Sequence, residues 1–254
     1  MMPDFRDYRT GRSAHDIPDL CAAPGLLNVA AIAPPAILDR SAIDPGARMF
    51  NNDTDPDCTA AAIGNIILAA GALNGFEPVV VDDRIPAFYA ACAGVANTSA
   101  AIMATDGVRL LSALQRAAHQ GIDVGQQGSL YPFVGTVPCS RLAIAHTTDR
   151  FVCANLGIRL YERDEEAAGV LDADGSDAGA MVGRHSLLTF DYTGLGDTDR
   201  VRLITYGTLW TVTWRWIAAR IDEAHGLYFP QLMPAAESAV DQARLAEARG
   251  TLRD

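Results

Sequence analysis

Cys58 stands where a loop dense in turn formers, NNDTDPD, runs into an almost uncharged segment, CTAAAIGNIILAAGAL. A thiol there opens a helix, where unpaired backbone N–H groups and the macrodipole favour the thiolate. A thiolate so placed can attack a carbonyl carbon, the first step of a cysteine protease or an acyltransferase. The plain alternative is a small apolar residue that starts a core helix, since unpaired cysteine is among the most buried residue types. Far along the chain, His185 follows a glycine-rich stretch and opens the first strand of a hairpin. An imidazole can take a thiol proton and return it to a leaving group. Alone, a histidine in that position is usually a polar residue at a sheet edge.

The elements that must hold these groups follow from the patterns around them. Asp55 or Asp57 can cap the helix, Pro56 suits its first turn, and the apolar run carries it for about four turns. With so little polar face it must be buried. Ile85, Phe88, Tyr89 and Cys92 mark a short amphipathic helix over 84–92, and 94–105 reads as a loop. Val108, Leu111, Leu114 and Ala118 line a second helix that stops at Gly121, with His119 near its end. From Leu130 the pattern changes. LYPFVGTV reads as a strand, Ser140 to Ala145 as a short helix and FVCANLGIRLYER as further strand, while 165–183 reads as an exposed loop. RHSLLTFDYTGLGDTDRVRLITYG then gives two β-rich runs around a Gly-Leu-Gly-Asp turn. Trp210, Trp214, Ile217 and Ile221 sit at helical spacing over 208–223, and AHGLYF closes the sheet. The order predicts an α+β fold, with an N-terminal helical part and a C-terminal antiparallel sheet.

Prolines at 3, 18, 24, 34, 35 and 45 make residues 1–46 an extended arm, expected to wrap its own domain or reach a neighbour. Residues 47–234 form the main domain and 235–254 a helical tail. The net charge of −11 argues against nucleic acid or an anionic membrane surface as partner. No apolar run reaches membrane-spanning length, and the N-terminus lacks a signal pattern. The five cysteines (21, 58, 92, 139 and 153) include no CxxC pair, so reduced thiols are expected rather than a disulfide framework. No metal or cofactor motif is present.

A cysteine starting a buried helix early, then a histidine on a late strand, with helices before strands, resembles the papain-like cysteine peptidases. NNDTDPDCTAAAIGNIILAA looks like the GND-x-x-GDC-x-x-AAxAH segment of papain-like proteins borne by phages and prophages. Asp106-Gly107 and the later GxH, TYG, TW-xxW and DEA strings follow that group in order, over about residues 45–230. The resemblance implies Cys58 as nucleophile, His185 as base and Asn52 as an oxyanion donor together with the Cys58 backbone N–H. It puts Thr205 where such enzymes carry the Asn or Asp that orients the imidazole. Asp191, six residues after His185 on the same strand, is set aside as the orienting group. Two more positions depart from the pattern: Pro56 replaces the glycine before Asp-Cys, and Asn65 an aromatic residue or histidine.

Two functions are therefore expected. One is a cysteine peptidase or amidase that cleaves a peptide or protein substrate through an acyl-enzyme, without a cofactor. The other is a papain-like domain, weakly active or inactive, retained in a phage particle and assembling with other phage structural proteins or with copies of itself. The expected location is the cytoplasm of a bacterial host, or the virion.

Overall fold

The computed structural model describes residues 33–75, 80–126, 128–166, 169–175 and 178–232. The first part of the arm with Cys21, the connector at 76–79 and the expected helical tail lie outside the described residues. Helices come first: α1 (Cys58–Asn74), α2 (Arg84–Ala93), α3 (Ser99–Met103) and α4 (Leu110–Gln120). Short strands β1 (Ile122–Asp123) and β2 (Ser129–Leu130) pair with each other. Then follow β3 (Phe133–Val137), α5 (Arg141–Arg150), β4 (Ala154–Tyr161), α6 (Glu162–Glu166), β5 (Val170–Leu171), β6 (Met181–Tyr192), β7 (Arg200–Thr205), β8 (Thr208–Thr213), α7 (Trp214–Arg220) and β9 (Ile221–Tyr228). Seven of these strands form one sheet in the order β3-β9-β4-β6-β7-β8-β5 among the described residues. Every pairing in it is antiparallel except that of β5 with β8, so the expected antiparallel sheet carries one parallel edge.

The apolar helix α1 is buried from Cys58 to Gly71 and stops at Gly75, whose φ of 72° suits a residue without Cβ. Ile63, Ile66 and Ile67 share a core with Leu188 and Phe190 of β6 and Ile204 of β7. Burying each isoleucine is worth about 1.5–3 kcal/mol relative to exposure. The opposite face of the sheet has its own core, in which Leu187, Leu203, Trp210, Trp214 and Trp216 meet Ile144 and Ala145 of α5. Expected and observed packing of the Cys58 helix on the hairpin strands therefore agree.

Several expectations are corrected. Pro56 precedes the N-cap, Asp57, and so lies outside the first turn. Asn51 closes its own turns by accepting from the N–H groups of Thr54 and Asp55, which delays entry into the helix. Neither aspartate caps with its side chain: Asp57 makes no cap bond, and the Asp55 carboxylate accepts from Ser99 Oγ at 3.0 Å. The 94–105 loop contains α3, started by Thr98, whose hydroxyl accepts from the Ala101 N–H. The buried face of α4 passes through Ala117 rather than Ala118. The helix at Ser140 runs on to Arg150, and the 165–183 loop holds the end of α6, β5 and the start of β6. The 208–223 segment is strand, helix, then strand. Thr213 caps α7 by accepting from Trp216 N–H at 3.2 Å, which places the break.

The described part of the arm wraps its own domain. Leu38 and Tyr192 exchange backbone hydrogen bonds of 3.0 and 3.1 Å, and the Tyr192 hydroxyl donates to Pro35 O at 2.9 Å. Buried Arg40 donates to the carbonyls of Phe190, Thr148 and Val152. Further on, Asn65 of α1 clasps Arg48: its Oδ1 accepts from the Arg48 N–H at 2.8 Å, and its Nδ2 donates to the Arg48 carbonyl at 2.9 Å.

Candidate active site

The turn between β7 and β8 is two residues long, Tyr206-Gly207, with φ of 44° and 67°. Positive φ at both positions matches the twist of a tight hairpin but strains a tyrosine. Gly207 is required twice over, since a Cβ there would stand 2.9 Å from Met49 N. The chain at Arg48 and Met49 therefore crosses directly above the turn. Phe50 and Asn51 also have positive φ, 52° and 70°, in the bend that delivers Asn52. Asn52 N–H donates to Met49 O at 3.0 Å, which fixes that bend.

Cys58, Asn52 and Thr205 line one small cavity with Arg48, Met49, Asn65, Ser186 and Tyr206. It has room for about one water molecule. Cys58 is 0 % exposed, Asn52 3 % and Thr205 4 %. The Cys58 N–H is among the first four of α1, which have no acceptor within the helix. Asn52 Oδ1 is buried without a hydrogen-bond partner.

His185 is not at the start of its strand. It is the fifth residue of β6, because Arg184, Gly183 and Met181 already pair with β4. It alternates with Ser186: Leu188, on the Ser186 side, joins the core under α1, and Leu187, on the His185 side, joins the opposite core. The imidazole connects to the cavity through two of its wall residues. Its Nε2 lies 2.6 Å from Thr205 Oγ1, and its ring stacks on Tyr206 with centroids 4.4 Å apart and planes 12° from parallel. The Tyr206 hydroxyl is 3.3 Å from Nδ1. With the rings stacked, that oxygen stands over the face of the imidazole. A ring nitrogen bonds in its own plane, so Tyr206 does not occupy that direction. Asp191, six residues along, would share the His185 face in a regular strand, but β6 is irregular between Thr189 and Asp191, and the carboxylate pairs with Arg202 and accepts from the Arg40 N–H.

The structure thus gathers Cys58, Asn52 and Thr205 around one cavity and joins His185 to it through Thr205. Sequence reasoning missed Tyr206, Ser186 and Asp57. The Tyr-Gly pair between two β runs signals a tight turn, whereas the cavity contact of Ser186 follows only from the register. Asp57, beside Cys58, is 0 % exposed, and neither carboxylate oxygen has a partner. Burial first, then the nearby Asp55, raises its pKa well above the ordinary carboxylate range. Burial likewise pushes the Cys92 and Cys153 thiols up to about 12, and that of Cys139 upward. No cluster of three or more potential metal ligands occurs among the described residues.

This architecture is that of the papain-like cysteine proteases. Xylellain, a cysteine protease from Xylella fastidiosa, superposes with a TM-score of 0.60 at 12 % identity, over 87 % of this chain and 96 % of its own. Procathepsin B S9 from Trypanosoma congolense gives 0.61 at 9 % identity, over 87 % and 86 %. The digestive procathepsin L2 of Tenebrio molitor gives 0.57 at 13 %, over 90 % and 81 %. At such identities the likeness is one of fold. No protein-family model and no curated protein sequence matches the chain.

Proposed function

We propose that the protein is a cysteine peptidase or amidase that works through an acyl-enzyme on Cys58. The observation that carries this reading is the cavity shared by Cys58, Asn52 and Thr205, with Thr205 Oγ1 2.6 Å from His185 Nε2. If Nε2–H donates to Thr205, the lone pair on Nδ1 is left as the base. In this reading the Cys58 thiol gives its proton to Nδ1 and the sulfur attacks the scissile carbonyl carbon. A C–S bond forms as the carbonyl π pair moves to oxygen. The Cys58 N–H and the Asn52 side-chain amide donate to that oxyanion. The imidazolium then protonates the amine as the C–N bond breaks. Water, deprotonated by the same imidazole, attacks the thioester, and the acid leaves as the thiol re-forms. The seam over Cys58 must open to admit a peptide, because the sulfur is wholly buried.

The test is alkylation by iodoacetamide near pH 7 with mass-spectrometric assignment of each thiol. Cys58 is expected to react much faster than Cys92, Cys139 and Cys153, whose thiols burial holds protonated. A Cys58 no faster than the exposed Cys139 would end the hydrolase reading.

A second reading is favoured by two of the same facts: Thr205 offers the imidazole no charge, and Cys58 is closed to solvent. In it the papain-like domain is kept for assembly in a phage particle, contacting other structural proteins or its own copies. An unreactive Cys58 in a chain that co-purifies with particles would favour it.

A further inference from the structure

We propose that Asn155 and His225, continuing from Ser186, form a polar subsite beside Cys58 that takes a substrate side chain ending in a carboxamide. The proposal rests on the hydrolase reading and names a substrate class for it. The register sets the row. Asn155 of β4 pairs with Leu188 of β6 on one side and with His225 of β9 on the other, so all three share a sheet face. That is the face on which α1 packs, since Leu188 belongs to its core. Ser186, one step along the same face, lines the Cys58 cavity and donates from Oγ to Asn155 Oδ1 at 2.9 Å.

The far end is equally fixed. His225 Nε2 lies 3.0 Å from Glu223 Oε2. A carboxylate accepts, so the proton belongs on Nε2 and Nδ1 carries the lone pair. That Nδ1 and the neighbouring Asn155 Nδ2 are both buried with no hydrogen-bond partner. Asn155 is 0 % exposed and His225 2 %. Buried polar groups are almost always satisfied, and a donor and an acceptor left unmade on adjacent strands point to a partner that arrives with the substrate. The row meets the Cys58 cavity at Ser186, a wall residue bonded to Asn155.

The pattern selects the ligand. The two unpartnered atoms are a donor, Asn155 Nδ2, and an acceptor, His225 Nδ1, on adjacent strands. A carboxamide matches that pair: its C=O accepts from Asn155 Nδ2 while its NH₂ donates to His225 Nδ1. A carboxylate has no proton for Nδ1 and would lie near the Glu223 carboxylate. An aliphatic side chain would leave both groups unmade.

The experiment uses the full chain and thiol-reactive peptidyl ketones carrying Gln, Asn, Leu, Glu or Ser at either of the two positions nearest the reactive carbon. Methyl methanethiosulfonate, which carries no carboxamide, is run in parallel and reports the reactivity of Cys58 without engaging the subsite. The Gln or Asn probe should inactivate at least about tenfold faster than the Leu probe, the discrimination expected of a site built to bond a polar group. Asn155→Leu and His225→Phe should each bring that ratio towards one. A preference for Leu in the unmodified protein overturns the proposal, as does an amide preference that survives both substitutions. If Cys58 reacts with neither reagent class, the hydrolase reading fails separately. The subsite is then judged by the His225 imidazole resonances under N-acetyl-glutamine amide, and their failure to move at saturating concentration overturns it.

Discussion

The hydroxyl of Thr205 lies 2.6 Å from Nε2 of His185, while the hydroxyl of the stacked Tyr206 stands 3.3 Å from Nδ1. A hydroxyl can fix a ring's tautomer but cannot stabilise the imidazolium with charge. In the serine-protease precedent, spoiling the orienting carboxylate lowers kcat by about 10⁴. Thr205→Asn is therefore expected to raise both the iodoacetamide rate at Cys58 and turnover, whereas Thr205→Val should lower both by about tenfold or more. Timed alkylation assays on the three proteins decide it. Equal rates in all three would mean that the 2.6 Å contact is only structural.

Asn52 is held by a strained bend, with Phe50 and Asn51 at positive φ, and its Oδ1 is buried without a partner. Backbone strain in the loop that carries a side chain is expected of a group placed for a transition state rather than for stability. Asn52→Ala should lower kcat by about 10²-fold or more while leaving KM nearly unchanged. A kcat equal to that of the unmodified protein would remove Asn52 from the oxyanion site.

Asp57 gives a pH-dependent signature. Its folded-state pKa is raised by burial, so between the ordinary carboxylate range near about 4 and its own raised value the native state binds more protons than the unfolded one. Stability must then fall as pH rises through that window. A carboxamide in place of the acid has no proton to lose, so Asp57→Asn should be the more stable protein at neutral pH. Its advantage in urea midpoint should widen from about pH 4.5 upward and level off once Asp57 ionises in the native state. A gap independent of pH would show that Asp57 is not neutral in the fold.

How much was legible depended on whether a signal was local. The segment from Cys58 to Leu73 announces a buried helix by composition alone, and the runs around Gly194 to Asp197 announce a hairpin. Spacing together with a resemblance singles out Cys58, Asn52 and Thr205, and the fold brings those three to one cavity. Over 208–223, Trp210, Trp214, Ile217 and Ile221 fit a helical period by coincidence. Trp210 and Val212 alternate on a strand, and Trp214 to Arg220 then turn as a helix. Thr213 was the available clue, as a cap residue inside an apparent helix. The role of Asn65 could not be read from sequence, because its partner is the backbone of Arg48, 17 residues earlier. The face on which His185 lies also depends on pairing with β4, which fixes where β6 begins.

Gly64 links the packing of α1 to the geometry of the site. By helix propensity, Gly64→Ala should stabilise the protein by up to about 1 kcal/mol. Yet a Cβ at that position would stand 2.8 Å from Phe50 Cε2 and 3.0 Å from Ile85 Cγ1. Such overpacking costs about 1–3 kcal/mol, so the net expectation is a loss of up to about 2 kcal/mol. Phe50 cannot yield cheaply, because its own backbone sits at φ 52° in the bend that carries Asn52. Any relief must therefore move that bend, and the Asn52 wall of the cavity with it. Gly64→Ala should lower the thermal midpoint modestly and lower kcat by a larger factor than the stability loss alone explains. Measuring both on one preparation separates the effects. A variant with raised midpoint and unchanged kcat would show that Phe50 swings aside freely and that the bend is not coupled to the helix.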